Sequence, residues 1–265
     1  MEAAIDTRGL TRVFRVRKDN SGSSGGFLRK KGRVDSIVAV DNVNLKIKTG
    51  EFFGLLGPNG AGKSAFVRML STVLTPTRGT AYVNGYDVRH DDFEVRKQLG
   101  VVIASGWNVL YQRLSGWDNL DFYGTLYGIP KARRIERSRM LLDYLGIGER
   151  AHDQVQKSST GMQRRLVLCK TLLPDSPILL LDEPTVGLDV DTTRKFGELL
   201  KKINREQGKT ILLTTHHLSE AERLCDRVAI LKKGKIVACD TPDRLRGKTG
   251  EQSLENAYVT IVGKS

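Results

Sequence analysis

The chain has 265 residues with 43 lysines and arginines against 30 acidic residues, a formal charge of +13, and 39% of its residues are hydrophobic. This composition supports a packed core and excludes a chain that is disordered throughout. No apolar run approaches the roughly 18 residues that cross a bilayer, and the polar start predicts no cleavable signal. The three scattered cysteines, Cys169, Cys225 and Cys239, form no disulfide or metal-binding pattern. We therefore expect reduced thiols and neither a secreted nor a membrane-spanning protein.

The positive charge is uneven along the chain. Residues 1–33 contain nine basic and three acidic residues, a net charge of +6. Such a balance suits nucleic acid, an anionic membrane surface or phosphate ligands, but a solvated basic surface explains it equally well. Within this stretch, residues 19–32 combine glycine and serine with three basic residues, which predicts a flexible basic loop between two strands.

The pattern of hydrophobic residues predicts an α/β fold. Strands are expected at residues 5–16, 34–47, 51–56, 178–181, 210–214, 227–231 and 235–239. Helices are expected after residue 64 and at residues 119–127, 131–145, 161–173 and 193–206. Strands that alternate with helices indicate a partly parallel sheet covered by helices, and the helical middle indicates an insertion into that core.

A glycine-rich turn follows the third predicted strand and fills the template G-x-x-x-x-G-K-[ST] at every fixed position. Its residues are Gly57, Pro58, Asn59, Gly60, Ala61, Gly62, Lys63 and Ser64. Glycines allow backbone N–H groups to surround a phosphate, and the start of the following helix adds positive potential. We expect Lys63 to contact the β- and γ-phosphates and the Ser64 hydroxyl to bind Mg²⁺. The turn predicts the core of a P-loop NTPase.

Two carboxylates follow the apolar run 178–181. A buried parallel strand delivers the side chains after it to the edge of the sheet where ligands bind. Asp182 is expected to hold Mg²⁺, and Glu183 to orient or deprotonate the water that attacks the γ-phosphate. Ser159, Thr160 and Gly161 start another predicted helix, where they can cap it or present a second anion site.

These motifs together resemble the ATP-binding subunit of ABC transporters. The resemblance rests on residues 57–64, 159–161, 181–185 and 187–189, then Thr215 and His216, in this order. It implies an antiparallel β subdomain at the N-terminus, ATP and Mg²⁺ as ligands, and a head-to-tail dimer. It also implies that Ser159 and Gly161 of one subunit approach the γ-phosphate held by Lys63 of the other. His216 would contact the γ-phosphate, Asp189 would communicate across the dimer, and Phe14 would stack on adenine.

The sequence departs from the family pattern in two places. A glutamine is usual after the strand near residues 99–103, and Ser105 or Gln112 could take its place. The signature Ser-Ser-Thr-Gly-Met differs from the commoner Leu-Ser-Gly-Gly-Gln but keeps the serine and the second glycine. Histidine after a strand is otherwise often structural, as is phenylalanine in one, so His216 and Phe14 each have a second interpretation.

Residues 120–128 and 253–258 resemble ATPases that are paired with ABC-2-type exporters of drugs, glycolipids or polysaccharide. The resemblance implies a peripheral protein at the cytoplasmic face of the cell membrane, an integral membrane permease, and a second identical or paralogous ATPase subunit. The alternative is an ABC ATPase without a permease that acts on ribosomes or nucleic acid, although a nucleic acid partner is not expected. We expect one ABC ATPase domain over residues 1–265. Its core would comprise residues 1–103 and 176–240, its helical signature subdomain residues 104–175, and its short C-terminal extension residues 241–265.

Overall fold

The computed structural model describes residues 3–17, 34–103 and 110–264. The predicted basic loop at residues 19–32 and the candidate Ser105 lie outside the described residues. The strands are β1 (Ala3–Arg17), β2 (Val34–Lys48), β3 (Phe52–Leu56), β4 (Arg78–Val83), β5 (Tyr86–Asp87), β6 (Leu99–Val102), β7 (Ile178–Asp182), β8 (Thr210–Thr215), β9 (Arg227–Lys232) and β10 (Lys235–Asp240). The helices are α1 (Lys63–Leu70), α2 (Asp92–Lys97), α3 (Gly116–Leu126), α4 (Lys131–Tyr144), α5 (Thr160–Leu172), α6 (Val190–Gln207), α7 (Leu218–Leu224), α8 (Pro242–Thr249) and α9 (Leu254–Lys264).

The first two strands belong to an antiparallel sheet of order β2-β1-β4-β5. Ile5 lies opposite Ile47 on one side and Val83 on the other, and all three side chains are buried. This pairing confirms the expected antiparallel β subdomain, which additionally includes β4 and β5.

The second sheet has the order β10-β9-β3-β8-β7-β6, with β10 antiparallel to β9 and the other neighbours parallel. Every residue of β3, β7 and β8 is buried, as expected for parallel strands covered on both faces. Leu56 is in register with Thr215, and Asp182 is in register with Thr214. The segments that follow β3, β7 and β8 therefore emerge at one edge of the sheet.

The mixed sheet separates two hydrophobic cores, because successive residues of a strand point to opposite faces. Phe52 and Leu56 of β3 belong to a core that also contains side chains from α3 to α6, whereas Phe53 and Leu55 pack in the core that contains α1 and the antiparallel sheet. Leu254 and Ala257 of α9 are fully buried. The predicted C-terminal extension is thus two helices, α8 and α9, of which α9 completes the core.

A cluster of charges lies where the helical segment returns to the mixed sheet. Asp175, between α5 and β7, forms ion pairs with Arg133 at 2.7 Å and Arg137 at 3.4 Å on α4, and with Lys209 before β8 at 2.7 Å. Burial raises the pKa of the Asp175 carboxyl, but the hydrogen bond from Lys209 and the charges of Arg137, Lys209 and Arg133 outweigh it and leave the pKa lowered. The Asp175 carboxylate therefore links helix α4 to Lys209, the residue that precedes β8.

The Asp175→Asn substitution is expected to lower the free energy of unfolding by about 1–2 kcal/mol, because three cations lose their shared carboxylate while Asp175 is partly exposed to screening water. Asp153 forms an exposed ion pair with Arg150 at 2.9 Å, so Asp153→Asn serves as the matched control with an expected change below about 0.5 kcal/mol. Urea unfolding of both variants measures the difference. Equal stability of the two variants would contradict the role assigned to Asp175.

Candidate functional site

The glycine-rich turn between β3 and α1 folds around the ammonium group of Lys63. The Lys63 Nζ atom donates hydrogen bonds to the carbonyl oxygens of Gly57 at 2.7 Å and Pro58 at 3.2 Å, and the residue is only 4% exposed. Gly62 has a φ of 110°, and a Cβ atom there would overlap the Ala39 carbonyl oxygen. Only glycine meets both demands. The loop therefore places a buried cation at the start of α1.

The two acids after β7 have different surroundings. Asp182 is fully buried, and its Oδ1 atom accepts a hydrogen bond from the Thr214 hydroxyl at 2.6 Å. Glu183 has a φ of 48°, and its N–H donates to the Thr214 carbonyl at 3.0 Å and to the Thr214 hydroxyl at 3.2 Å. Thr214 on the neighbouring strand β8 therefore forms hydrogen bonds with both acids, with the Asp182 carboxylate and with the Glu183 N–H.

Glu183 joins the glycine-rich turn to the loop after β8. Its Oε1 atom lies 3.1 Å from Lys63 Nζ, and its Oε2 atom lies 3.1 Å from His216 Nδ1. Exposure of the side chains increases along this series, from 4% for Lys63 through 16% for Glu183 to 41% for His216. The predicted catalytic residues Lys63, Glu183 and His216 therefore form one continuous cluster that opens to solvent at the histidine.

The signature residues lie at the exposed start of α5. The Ser159 hydroxyl accepts a hydrogen bond from the Met162 N–H at 3.3 Å, which is the capping geometry expected at a helix start. Ser159 and Thr160 are exposed, and Gly161 is half-buried. The hydrogen bond of Ser159 is with its own helix and not with the cluster of Lys63, Glu183 and His216.

Asp189 caps α6 within the same chain. It accepts hydrogen bonds from the Thr192 N–H at 2.8 Å and the Thr192 hydroxyl at 2.7 Å, and the backbone hydrogen bond is the main reason that the Asp189 pKa is lowered. The Arg165 Nη2 atom of α5 lies 4.0 Å from the Asp189 Oδ2 atom, and the Arg164 guanidinium donates a hydrogen bond to the Val186 carbonyl. The signature helix therefore contacts the segment that carries Asp189. Communication between subunits through Asp189 stays a prediction.

Phe14 belongs to neither hydrophobic core and is half-buried on β1. Its ring lies 4.7 Å from the Arg12 guanidinium, and its register partner Ile37 is 55% exposed. These surroundings differ from those of a core residue, and stacking on adenine stays a prediction.

Gln112 is exposed, and its carbonyl accepts the Gln156 N–H at 2.9 Å. With Ser105 outside the described residues, the replacement for the missing glutamine stays open.

Comparison with known proteins matches residues 40–186 to the family model described as ABC transporter. The chain belongs to the ABC transporter family. It is 38% identical to the daunorubicin/doxorubicin resistance ATP-binding protein DrrA of Streptomyces peucetius, an alignment that covers 95% of this chain and 69% of the relative. It is 39% identical to the Nod factor export ATP-binding protein I of Cupriavidus metallidurans, covering 78% of this chain and 68% of the relative.

Two solved structures have the same fold. An ATP-binding subunit of an ABC transporter aligns with a TM-score of 0.80 at 27% identity, covering 98% of this chain and 99% of the other. A dimeric ATP-binding cassette in a post-hydrolysis state, bound to ADP and Pi, aligns with a TM-score of 0.74 at 28% identity, covering 89% and 98% of the two chains. The predicted ABC ATPase fold, with its P-loop NTPase core, is confirmed.

As an ABC transporter ATPase, the chain binds ATP with Mg²⁺ and hydrolyses it, as the sequence predicts. The residues present fit these ligands, because the glycine-rich turn has no room for a Cβ atom at Gly62 and places its buried cation beside the Glu183 carboxylate, which directly follows Asp182. Family members work with membrane permease components and form dimers. None of the described helices is long and apolar enough to cross a membrane.

Sequence reasoning missed Thr214, which supports both acids, and named Thr215 only as part of the motif that contains His216. Thr214 and Thr215 end β8 directly after the apolar residues 211–213, and a polar strand end beside a predicted ligand site is a usable signal. The contacts of Thr214 with Asp182 and Glu183 follow from the pairing of β8 with β7, which a single sequence does not specify.

Proposed function

We propose that this chain powers an ABC-2-type exporter of a drug, lipid, glycolipid or polysaccharide through ATP-driven closing and opening of a dimer. The observation that carries this proposal is the likeness to DrrA over 95% of the chain, together with the likeness to the Nod factor exporter. The partners would be an integral membrane permease and a second ATPase subunit, either identical or a close paralogue. The chain would then lie peripherally at the cytoplasmic face of the membrane.

The geometry supports separate roles for the clustered side chains. Lys63 and the backbone of residues 57–62 would bind the phosphates, and Phe14 would stack on adenine. Ser64 and Asp182 would hold Mg²⁺, which neutralises phosphate charge when bound. Glu183 would accept a proton from the attacking water and His216 would contact the γ-phosphate, and these two groups are adjacent, with Glu183 Oε2 3.1 Å from His216 Nδ1. Each of these roles depends on positioning and charge, which is the main requirement of phosphoryl transfer.

We also propose the division into a core and a helical signature subdomain that the sequence predicts. The described part of residues 104–175 contains helices and no named strand, whereas both sheets lie in residues 1–103 and 176–240. The helical signature subdomain carries exposed apolar side chains, among them Phe122 at 41% and Leu126 at 68% exposure on α3. Exposed apolar side chains of this kind suit contact with a hydrophobic partner, such as a loop of the permease.

The Ser159→Arg substitution tests the proposed composite site. We expect monomeric ATP binding to stay unchanged while hydrolysis falls by about 10²-fold or more, because a bulky cation would occupy the place of the partner's phosphate. Ser253 is the matched control, since its hydroxyl accepts the Asn256 N–H at the start of α9 and Ser253→Arg removes a cap in the same way. Nucleotide titration and phosphate release measure the two effects. Wild-type hydrolysis by Ser159→Arg would contradict a site completed by a second subunit.

Co-purification tests the proposed export function directly. The tagged full chain, extracted from its native host in mild detergent, should bring down an integral membrane protein, and that protein should raise its ATP hydrolysis rate. The comparisons do not favour the alternative without a permease. Recovery with ribosomes or nucleic acid, in complexes whose affinity falls steeply with salt, would support that alternative and contradict export.

A further inference from the structure

A buried carboxylate outside the predicted cluster joins the two loops that carry Glu183 and His216. Glu220 lies on α7 and is 7% exposed. Its Oε2 atom accepts hydrogen bonds from the Thr185 hydroxyl at 3.3 Å and the Thr215 hydroxyl at 3.1 Å. Burial raises the pKa of the Glu220 carboxyl against the opposing effect of the two hydroxyls. Burying a carboxylate costs free energy, and two donors on one oxygen offset part of that cost.

Both threonines are close in sequence to the reacting groups. Thr185 lies two residues after Glu183 and accepts the Leu188 N–H at 3.0 Å with its carbonyl, which closes the turn after β7. Thr215 immediately precedes His216, and its hydroxyl accepts the His217 N–H at 3.0 Å. In addition to the hydrogen bonds of the Glu183 N–H to Thr214, the two loops are joined by the contact of Glu183 with His216 and through Glu220.

We propose that Glu220 is a positioning residue for ATP hydrolysis, which holds the loop of Glu183 against the loop of His216 through the Thr185 and Thr215 hydroxyls. The inference rests on the proposed roles of Glu183 and His216. A reacting group works only when its surroundings keep it close to the productive geometry, and small displacements are costly. Among the described residues Glu220 makes no hydrogen bond or ion pair with Lys63, so we expect its removal to leave the phosphate-binding turn intact.

The first experiment compares Glu220→Ala with Glu220→Gln in the full chain. Alanine removes both acceptor contacts, and we expect kcat to fall roughly 10- to 100-fold while the Kd for ATP changes less than about twofold. Glutamine keeps an oxygen that both hydroxyls can reach, and should retain kcat within about fivefold. Glu222→Ala is the matched control on the same helix, because Glu222 contacts Arg246 at 3.4 Å instead of either loop. It should keep the wild-type kcat.

A second pair of variants keeps the test decisive if Glu220→Ala does not fold. Thr185→Val removes one hydroxyl with little change in shape, whereas Thr185→Ser retains it. Valine should lower kcat without weakening ATP binding, and serine should restore kcat. Equal kcat for the two variants would overturn the inference.

A double-mutant cycle distinguishes positioning from a structural role. If Glu220 acts by placing His216, then Glu220→Ala should lower kcat by less than about twofold further in the His216→Ala background. A full and independent loss in that background would overturn the inference.

The proposed function can fail separately from this inference. Wild-type hydrolysis by Glu183→Gln and His216→Ala would contradict the roles proposed for Glu183 and His216. Loss in those variants with wild-type kcat in Glu220→Ala would overturn only the role of Glu220.

Discussion

Replacing Glu183 by glutamine is expected to lower the rate of ATP hydrolysis by about 10²–10⁴-fold without loss of ATP binding. The amide keeps the size of the side chain but cannot accept a proton from the attacking water. The backbone position is unaffected, because the Glu183 N–H is held by Thr214 on β8. Lys63 retains its hydrogen bonds to the Gly57 and Pro58 carbonyls, so the phosphate-binding turn should stay intact.

The same variant should also accumulate as a dimer in the presence of Mg²⁺ and ATP, because the step that separates the subunits is slowed. Phosphate release measures hydrolysis, and size-exclusion chromatography with and without ATP measures the dimer. Glu198→Gln on the exposed face of α6 is the control and should match wild type in both assays. Wild-type turnover by Glu183→Gln would refute the assignment of Glu183.

The Lys63→Ala substitution is expected to weaken ATP binding by about 10- to 100-fold, because a charge-assisted hydrogen bond to phosphate is lost. Two further losses follow from the structure. The buried Gly57 carbonyl loses the hydrogen bond that it accepts from Lys63 Nζ at 2.7 Å. Glu183 loses its ion pair with the same ammonium, which lies 3.1 Å from its Oε1 atom. An uncompensated carboxylate beside the phosphates repels them, which acts in the same direction.

Calorimetric titration with Mg²⁺ and ATP measures this change, and thermal unfolding shows whether the variant is folded. Lys131→Ala at the exposed start of α4 removes the same charge away from the turn and should leave the affinity unchanged. Equal affinity of Lys63→Ala and wild type would exclude the glycine-rich turn as the phosphate site.

The main elements of both sheets and the helices between them follow from hydrophobic patterns, and the structure places them within a few residues of the predicted ranges. Strands β4 and β5 and helices α2, α7, α8 and α9 were missed. Most of these are short. Strand β4 also begins with exposed residues, so it lacks the apolar run that identifies β7. Helix α9 packs against α7, α8 and β10, and local periodicity does not reveal which elements a helix will contact.

In the candidate site, too, the sequence predicted the residues and the tertiary structure determined their contacts. Lys63 and Glu183, from two separate motifs, were predicted to act on the same γ-phosphate, and the parallel arrangement of β3, β8 and β7 places Lys63 Nζ 3.1 Å from Glu183 Oε1. The helix start at Ser159 was also predicted correctly. The capping of α6 by Asp189 was not predicted, although an aspartate before a helix is a common cap.

The amino-acid sequence alone determined the chemistry of this protein: a glycine-rich turn with a lysine, two acids after an apolar strand, and the order of motifs that identifies an ABC transporter ATPase. These are local features, since a turn and a strand end need only a few neighbouring residues. The tertiary structure alone decided which side chains meet. The contact of Glu183 with His216 and the hydrogen bond of Thr185 to Glu220 depend on strand order and register, which bring residues 33 and 35 positions apart within hydrogen-bond distance.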